Sequence, residues 1–205
     1  MQDPISVPNL ANIKHAVRNE LKQVRAALPD TDREEYSGRI TEHLYNLPEI
    51  QSARSVFAFI SYGNEVDTHG LIQSFLDKGI TLAVPKILPG QGMVAMILHS
   101  WEELAPGPMG ILTHRENGTQ CGTFDVIITP GLGFTREGHR IGYGRGYYDR
   151  WFSQHPTGLK IGIAFEVQIR ESLPVDDRDI QVDIIVTEDQ LVDRRIKQTA
   201  GLLPR

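Results

Sequence analysis

The chain has 205 residues, 40% of them hydrophobic and 23% charged, which is the balance of a folded protein rather than a disordered one. Its length predicts a single domain spanning residues 1–205. The 21 basic and 26 acidic residues give a formal net charge of −5, which argues against nucleic acid or an anionic membrane surface as the main partner.

Two helices are predicted ahead of the first strand. The first runs from Ile13 until Pro29 stops it, with apolar residues at helical spacing (Val17, Leu21, Val24 and Leu28). The second is capped by Asp30 or Thr31 and closes at Pro48, and its apolar face consists of Tyr36, Ile40, Leu44 and Leu47. Each helix therefore has one face to bury.

Apolar runs alternate with helical patterns along the rest of the chain. Helices are predicted over 68–78 and from about Gly146, and strands over 55–61, 81–85, 93–98, 125–130, 159–165 and 183–187, the last of the chain. Runs that are apolar on both faces suit the buried strands of a parallel sheet. We therefore predict an α/β fold, a sandwich with a mostly parallel sheet.

Three features bear on location. The lone cysteine, Cys121, cannot form an internal disulfide, which fits a reducing compartment. No apolar run approaches the ~20 residues that span a bilayer, and the first residues lack the pattern of a signal peptide. We expect a cytoplasmic protein that does not act at a membrane.

The segment 130–152 carries the most unusual pattern. It follows a predicted strand, and ligands in open α/β sheets bind beyond the carboxyl ends of strands. Glycines at every second position let backbone N–H groups approach an anion; they are Gly142, Gly144 and Gly146. Four arginines against one Glu and one Asp make the segment positive. The pattern is neither a Walker A loop nor a full dinucleotide fingerprint, so it predicts a site for an anion such as phosphate, with a plain mobile loop as the alternative.

A carboxylate, Asp149, falls in the first turn of the helix predicted after these glycines. There it complements the helix dipole, which is a structural role. A carboxylate beside a phosphate-binding loop is also a typical magnesium ligand. The residues alone leave both roles open.

Basic residues line one stripe of the first predicted helix, beside its apolar face. They are Lys14, Arg18, Lys22 and Arg25. Such a stripe is usually a solvated face. Because this one flanks the buried face, Lys14 and Arg18 could also reach over the rim of a neighbouring pocket.

Acidic residues offer further candidates. Nine carboxylates lie between Glu166 and Asp193 against two arginines, a run typical of a solvated face, although one or two could complete a metal site. Asp67 can cap the helix that follows it, whereas Glu65 has no such local role and is favoured for substrate contact. The histidines form no zinc-binding pair, and no Gly-x-Ser-x-Gly elbow occurs.

Together these segments resemble the 5-formyltetrahydrofolate cyclo-ligase family, also called methenyltetrahydrofolate synthetases. The resemblance runs from about Lys14 to Glu188, in order and at the family's spacing. It is carried by KHAVR (14–18), EVDT (65–68), VPK (84–86), PMGI (108–111), PGLGF (130–134), RIGYGRGYYDR (140–150), AFEVQI (164–169) and LPVDDRDIQVDIIVTE (173–188). The glycine–tyrosine element over 140–150 is the most specific of these.

The resemblance implies a three-layer α/β/α sandwich and an enzyme that closes 5-formyltetrahydrofolate to 5,10-methenyltetrahydrofolate, using ATP and Mg²⁺ and releasing ADP and phosphate. In that chemistry the γ-phosphoryl group passes to the formyl oxygen, the second folate nitrogen attacks the resulting iminium phosphate, and phosphate leaves. The protein's part is mainly positioning and charge neutralisation.

Carried over position by position, the resemblance implies roles for named residues. ATP binding falls to Lys14, Arg18, Arg140, Gly142, Gly144, Arg145, Gly146, Tyr147 and Tyr148, of which Arg145 and Tyr148 are the expected catalytic residues. Folate binding falls to Ile60, Glu65, Met109, Tyr143 and Tyr147. Magnesium binding falls to Asp149 and Asp179, which favours the ligand role of Asp149 and selects Asp179 from the acidic run.

Three departures from the family pattern matter. Arg145 stands where many members have Lys, and a guanidinium binds phosphate as a fork rather than as a point charge. On the folate side, Met109 stands where an aromatic residue is frequent, and Thr113-His114 where Glu-Pro is common. Thr135 replaces a common Asp at an expected turn.

Two other functions stay open. One is a nucleotide-binding regulatory relative without cyclo-ligase activity, and the other is an ATP-independent sugar-phosphate isomerase or CoA-transferase relative, since similar sandwiches serve both. The joint presence of the residues named above favours the enzyme. We expect a monomer or a weak homodimer whose partner is its folate substrate.

Overall fold

The structure, a computed structural model, describes residues 9–116 and 118–195. The helices in these ranges are α1 (Leu10–Ala26), α2 (Asp30–Tyr45), α3 (Pro48–Ser52), α4 (His69–Asp77) and α5 (Tyr147–Gln154). The strands are β1 (Ser55–Ala58), β2 (Thr81–Leu88), β3 (Gly92–Ile97), β4 (Leu104–Pro106), β5 (Leu112–His114), β6 (Val126–Thr129), β7 (Gly133–Thr135), β8 (Arg140–Ile141), β9 (Leu159–Ile163), β10 (Ile169–Arg170), β11 (Ile184–Val186) and β12 (Leu191–Asp193). No helix among the described residues is long and apolar enough to cross a membrane.

The central sheet has seven strands in the order β12-β11-β9-β6-β1-β2-β3. The inner strands, from β11 to β2, run parallel to one another. The edge strands β12 and β3 pair antiparallel with their neighbours. The predicted mostly parallel sheet is therefore confirmed.

Helices cover both faces of this sheet because the central strands are apolar on both sides. Val56 and Ala58 of β1 belong to a core shared with residues of α2, α3 and α4. Phe57, between them, points to the opposite face and packs with Trp151 and Phe152 of α5. The result is the α/β/α layering that the family resemblance implies.

A second, three-stranded sheet in the order β10-β7-β8 anchors the segment that follows β6. Leu21 of α1 is fully buried in a cluster with Leu132, Ile141 and Leu173. Gly133 admits this contact, because a Cβ there would lie 2.7 Å from a methyl group of Leu21. This packing fixes α1 beside the segment that carries the glycines.

Some local predictions are wrong. The strand over 183–187 is not the last one, since β12 follows and pairs with β11. The predicted cap of α2 by Asp30 or Thr31 is absent: Pro29 has extended backbone angles and occupies the cap position, so Asp30 is already helical and no side chain caps the helix. The sequence pattern also misses α3, the β4–β5 hairpin and the small sheet, because elements of two to five residues are too short to show periodicity.

Candidate active site

A large cleft opens beyond the carboxyl ends of the central strands. Its walls come from α1, the segment after β1, the end of β2, the loop before β5, the segment 140–150 and the segment 176–180. The cleft encloses about 1910 Å³. Small-molecule pockets usually measure roughly 300–1,000 Å³. This cleft is therefore large enough for two ligands side by side.

The glycine loop, residues 141–146, forms one side of the cleft and leads into α5. Gly144 (φ +100°) and Gly146 (φ +62°) have left-handed backbone angles that other residues rarely adopt. A Cβ on Gly144 would lie 3.3 Å from the guanidinium carbon of Arg18, and one on Gly142 would lie 2.8 Å from a guanidinium nitrogen of Arg140. The glycines thus allow two arginines to approach the loop backbone.

Arg140 enters the glycine loop from β8 and is buried. Its Nη2 donates a hydrogen bond to Asp149 Oδ1 at 2.9 Å, and its guanidinium lies 5.6 Å from the ring centroid of Tyr148. Asp149 Oδ1 also accepts from the backbone N–H of Ile180 at 3.3 Å. Asp149 lies in the first turn of α5, as predicted, so it complements the helix dipole and also pairs with a buried cation.

Lys14 is buried and pairs with two carboxylates of the acidic run. Its Nζ donates to Asp176 Oδ2 at 2.9 Å and to Asp179 Oδ2 at 2.5 Å. Burial lowers the pKa of Lys14, but the two hydrogen bonds outweigh this effect and leave the pKa above its ordinary value. The hydrogen bond from Lys14 lowers the pKa of Asp176 to about 2. Lys14 and Asp176 therefore stay charged across neutral pH.

Arg18 and Arg25 continue the wall that Lys14 begins. Arg18 Nε donates to the carbonyl oxygen of Gly142 at 2.9 Å, which ties α1 to the glycine loop. Arg25 is buried, and its Nε donates to Asn64 Oδ1 at 2.9 Å. The solvated-face interpretation of the basic stripe is wrong for Lys14 and Arg25, because their partners come from parts of the chain far away in sequence. Lys22 is exposed, although it also lines the cleft.

Glu65 contacts both the glycine loop and Arg25. Its Oε2 accepts from the backbone N–H of Tyr62 at 3.0 Å, and its Oε1 accepts from the Tyr143 hydroxyl. Arg25 Nη1 lies 3.9 Å from the same carboxylate. Burial of the Tyr143 hydroxyl beside Glu65 raises its pKa, so the phenol stays protonated. The expectation that Glu65 has no local role is wrong, since it closes the turn that begins at Tyr62.

Asp67 stabilises the start of α4, as predicted, but from the position before the cap, which Thr68 occupies. Its Oδ1 accepts from the backbone N–H of His69, the first residue of α4, at 3.0 Å. Hydrogen bonds from His69 outweigh the effect of burial and lower the pKa of Asp67. This carboxylate stabilises the start of α4.

The two expected catalytic residues have opposite environments. Arg145 is exposed at the cleft and makes no ion pair or hydrogen bond with any described residue. Tyr148 packs its ring on Phe57, with centroids 6.1 Å apart, and its hydroxyl is buried without a partner. Burial raises the pKa of Tyr148, so its hydroxyl can donate a hydrogen bond but cannot serve as a base.

The remaining predicted folate contacts are placed as follows. Ile60 is buried and lines the cleft, and Tyr147 lines it with Arg150 5.3 Å from its ring centroid. The side chain of Met109 lies outside the part of the chain that the structure describes. The structure thus brings Ile60, Glu65, Tyr143 and Tyr147 to one cleft.

Two of the departures from the family pattern have different surroundings, Thr113-His114 at the cleft wall and Thr135 in the interior of the small sheet. Thr113 of β5 lines the cleft, while His114 is buried, and burial lowers its pKa. Thr135 ends β7 and begins the predicted turn, in which its carbonyl oxygen accepts from Gly138 N–H at 2.8 Å. Its own hydroxyl is buried without a partner among the described residues.

Sequence reasoning missed the functional geometry of three residues. Arg25 and Asp176 were present in the basic stripe and the acidic run, but nothing in those runs separated them from solvated neighbours. Asn64 carries no signal of its own. Only the pairing of the stripe with the acidic run, about 160 residues apart, would have identified these contacts.

Comparisons with known proteins identify the family of this chain. The sequence profile described as the 5-formyltetrahydrofolate cyclo-ligase family matches residues 11–188. The chain is 31% identical over 193 residues to the 5-formyltetrahydrofolate cyclo-ligase of Mus musculus, covering 86% of this chain and 94% of that protein. It is 28% identical over 174 residues to the enzyme of the same name from Escherichia coli strain K12, covering 82% and 96%.

A solved structure of a methenyltetrahydrofolate synthetase is also similar to this chain. The NMR structure of the 5,10-methenyltetrahydrofolate synthetase of Aquifex aeolicus aligns with a TM-score of 0.79 at 34% identity, covering 89% of this chain and 93% of that one. The profile covers most of the described residues, including the glycine loop and the segment 176–180. The chain therefore belongs to the 5-formyltetrahydrofolate cyclo-ligase family.

Proposed function

We propose that this protein closes 5-formyltetrahydrofolate to 5,10-methenyltetrahydrofolate with ATP and Mg²⁺, releasing ADP and phosphate. One observation carries the proposal: a single cleft, large enough for two ligands, joins a charged end to an apolar end. The charged end consists of the glycine loop, the basic residues of α1 and the carboxylates of α5 and the segment 176–180. We also propose a cytoplasmic location, since a single cysteine fits a reducing compartment.

The charged end is suited to the triphosphate of ATP. Arg145 is exposed and unpaired among the described residues, so its guanidinium is available to a phosphate. Arg18 and the backbone N–H groups of the glycine loop lie beside it. Lys14 would exchange its hydrogen bonds to Asp176 and Asp179 for bonds to phosphate oxygens when the nucleotide binds.

Asp149 and Asp179 fit the chemistry of a magnesium site. Each uses one oxygen for its contacts within the described residues, Asp149 Oδ1 and Asp179 Oδ2, which leaves the other oxygen of each carboxylate for a cation. Mg²⁺ is usually held by one or two carboxylates together with substrate phosphates. When bound, Mg²⁺ would neutralise phosphate charge and orient the phosphates.

Arg140 is proposed to act as a positioning residue at this end, because its guanidinium is committed to Asp149 and covers the ring of Tyr148. The pair holds the beginning of the glycine loop and the start of α5 together. Tyr148 faces the same region with a protonated hydroxyl that lacks a protein partner. We propose that this hydroxyl donates a hydrogen bond when the nucleotide is bound.

The apolar end is suited to the folate. Ile60 contributes an apolar surface, and Glu65 offers a carboxylate to the N–H donors of a pterin ring. Tyr143 is held by Glu65 and lies below Arg25, whose guanidinium carbon is 5.8 Å from the ring centroid. Tyr147 lines the same cleft, and we propose that it contacts both ligands. Met109 remains a predicted folate contact.

In the proposed reaction the formyl oxygen attacks the γ-phosphorus, and the bond from that phosphorus to the bridging oxygen of ADP breaks. The second folate nitrogen then attacks the formyl carbon and loses its proton to the solvent or to the departing phosphate, and the carbon–oxygen bond breaks to release phosphate. We propose that Arg145 stabilises the negative charge that redistributes during the first step. The remaining residues hold the two substrates in line and exclude water.

The activity is tested by mixing the protein with 5-formyltetrahydrofolate and following the absorbance of the methenyl product. We expect the product band only when ATP and a divalent cation are both present, and excess chelator should abolish it. A protein that binds ATP but never forms the band would be the regulatory relative instead. A band that forms at full rate without ATP or with excess chelator would contradict the proposed mechanism.

A further inference from the structure

Tyr62 exposes its ring at the apolar end of the cleft. The residue follows β1, lines the cleft and is 47% exposed. Its backbone is fixed by Glu65, which accepts from Tyr62 N–H at 3.0 Å and donates to the Tyr62 carbonyl oxygen at 3.4 Å. A rigid backbone therefore presents an exposed aromatic ring to the cleft.

The loop before β5 borders this ring. A Cβ on Gly110 would lie 3.7 Å from Tyr62 Cε2 and 3.9 Å from its hydroxyl oxygen, which is ordinary van der Waals distance. Gly110 therefore comes close to the ring edge. The Tyr62 ring, which belongs to the segment after β1, therefore lies against the loop before β5.

The fold makes little use of this ring. Among the described residues, Tyr62 takes part in no aromatic stack or cation–π contact, and its hydroxyl has no hydrogen-bond partner. The other tyrosines of the cleft are engaged: Tyr143 with Glu65, Tyr147 with Arg150, and Tyr148 with Phe57. A large aromatic side chain left available in a cleft indicates contact with a ligand.

The neighbouring wall residues indicate which part of a ligand this is. The apolar end is lined by Pro85, Ile87, Pro108, Ile111 and Leu112, and Lys86 and Thr113 also belong to this wall. Of the paired charges of the cleft, Lys14, Asp176 and Asp179 and the pair Arg140–Asp149 lie in α1, β8, α5 and the segment 176–180, whereas the pair Arg25–Glu65 lies beside Tyr62. A flat conjugated ring gains from stacking on a tyrosine, and the adjacent Glu65 carboxylate can accept from N–H groups at the edge of that ring.

We propose that Tyr62 contacts the substrate and stacks on the bicyclic ring of the folate, so that it sets the affinity for folate and not for ATP. The inference rests on the proposed function and names a contact within the same cleft. Tyr62 lies outside both the glycine loop and the acidic run.

The test measures the Kd for 5-formyltetrahydrofolate without ATP, and the Kd for ATP without folate, by titration calorimetry. Replacing the ring by an aliphatic or polar chain, in Tyr62→Leu and Tyr62→Gln, should weaken folate binding by about two- to tenfold. Tyr62→Phe should retain the wild-type Kd, because stacking needs the ring and not the hydroxyl. The Kd for ATP should stay unchanged in all three.

Tyr45→Leu is the matched control, since Tyr45 ends α2 outside the cleft, with Lys78 4.9 Å from its ring centroid. Its folate Kd should equal that of the wild type. An unchanged folate Kd in Tyr62→Leu and Tyr62→Gln would overturn the inference while leaving the proposed function intact, as would a loss of ATP affinity alone. A wild-type protein that neither binds nor converts the folate would overturn both.

Discussion

The two arginines of the segment 140–145 have the same chemistry and opposite surroundings. Arg140 is 7% exposed and pairs with Asp149 at 2.9 Å. Arg145, five positions later, is exposed and has no partner among the described residues. Burial thus separates an arginine that holds the loop in shape from one that is free to bind a ligand.

The difference follows from the local backbone. Arg140 belongs to β8, in the small sheet that packs on α1 through Leu21 and Ile141. Arg145 lies between Gly144 and Gly146, both of which have left-handed backbone angles. It belongs to the exposed glycine loop and not to a strand. In the sequence motif both arginines look alike, but the structure shows one buried and paired and the other exposed. We propose that the first has a structural role and the second binds the ligand.

We expect the largest effect on stability from replacing Arg140. Arg140→Met leaves Asp149 without its buried cation, so we expect a loss of about 3–5 kcal/mol in the free energy of unfolding, measured with urea. The matched control is Arg136→Met, which removes an exposed ion pair with Glu166 and should cost less than about 1 kcal/mol. Equal losses of unfolding free energy in the two variants would show that Arg140 is no more important for stability than an exposed arginine.

Arg145 should show the reverse behaviour. Arg145→Ala should lower kcat by about 10²–10³, because a donor aimed at transition-state charge is removed, while the unfolding temperature stays unchanged. Arg145→Lys should keep most of kcat, since a point charge is enough for a phosphate. A near-full kcat in Arg145→Ala would mean that the loop only binds, and the regulatory function would become the better account.

Lys14 combines features of both arginines. It is buried and paired like Arg140, but like Arg145 it is proposed to bind phosphate. Lys14→Ala should raise the KM for ATP by about tenfold and the KM for folate far less, as expected for the loss of a charged hydrogen bond. Lys22→Ala removes the same charge from an exposed position of α1 and should change both constants less. Equal changes for ATP and folate in Lys14→Ala would remove Lys14 from the phosphate site.

The smallest expected effect is a change with pH in the contribution of Lys14 to stability. Since Lys14 lowers the pKa of Asp176 to about 2, the stabilisation from this pair is present above the unfolded pKa of roughly 3.9 and is lost as pH falls towards 2. The difference in unfolding temperature between the wild type and Lys14→Met should therefore shrink over that interval. A difference that stays constant with pH would show that the ion pair does not contribute.

Much of the central fold could be predicted from the sequence. The strands around Phe57 and Ile127 are apolar on both faces, and this pattern does not depend on distant residues. The helix after Gly146 and the first-turn position of Asp149 were likewise predicted and are confirmed. The family assignment followed from the element over 140–150 and is confirmed by the profile and the relatives.

The pairing of charges could not be predicted in the same way. Lys14 contacts Asp176 and Asp179 across 162 and 165 positions, so no local pattern distinguishes it from a solvated lysine. Tyr62 shows the same limit, since its role depends on the approach of Gly110 from another loop. The site residues thus stay predictions until the variants are measured.

The central claim is that the formyl oxygen accepts the phosphoryl group and leaves with it. It is tested most directly with 5-formyltetrahydrofolate whose formyl oxygen is labelled with oxygen-18. The account predicts that each inorganic phosphate released carries the labelled oxygen, because the carbon–oxygen bond breaks when the ring closes. Unlabelled phosphate, with the label recovered in water, would contradict it.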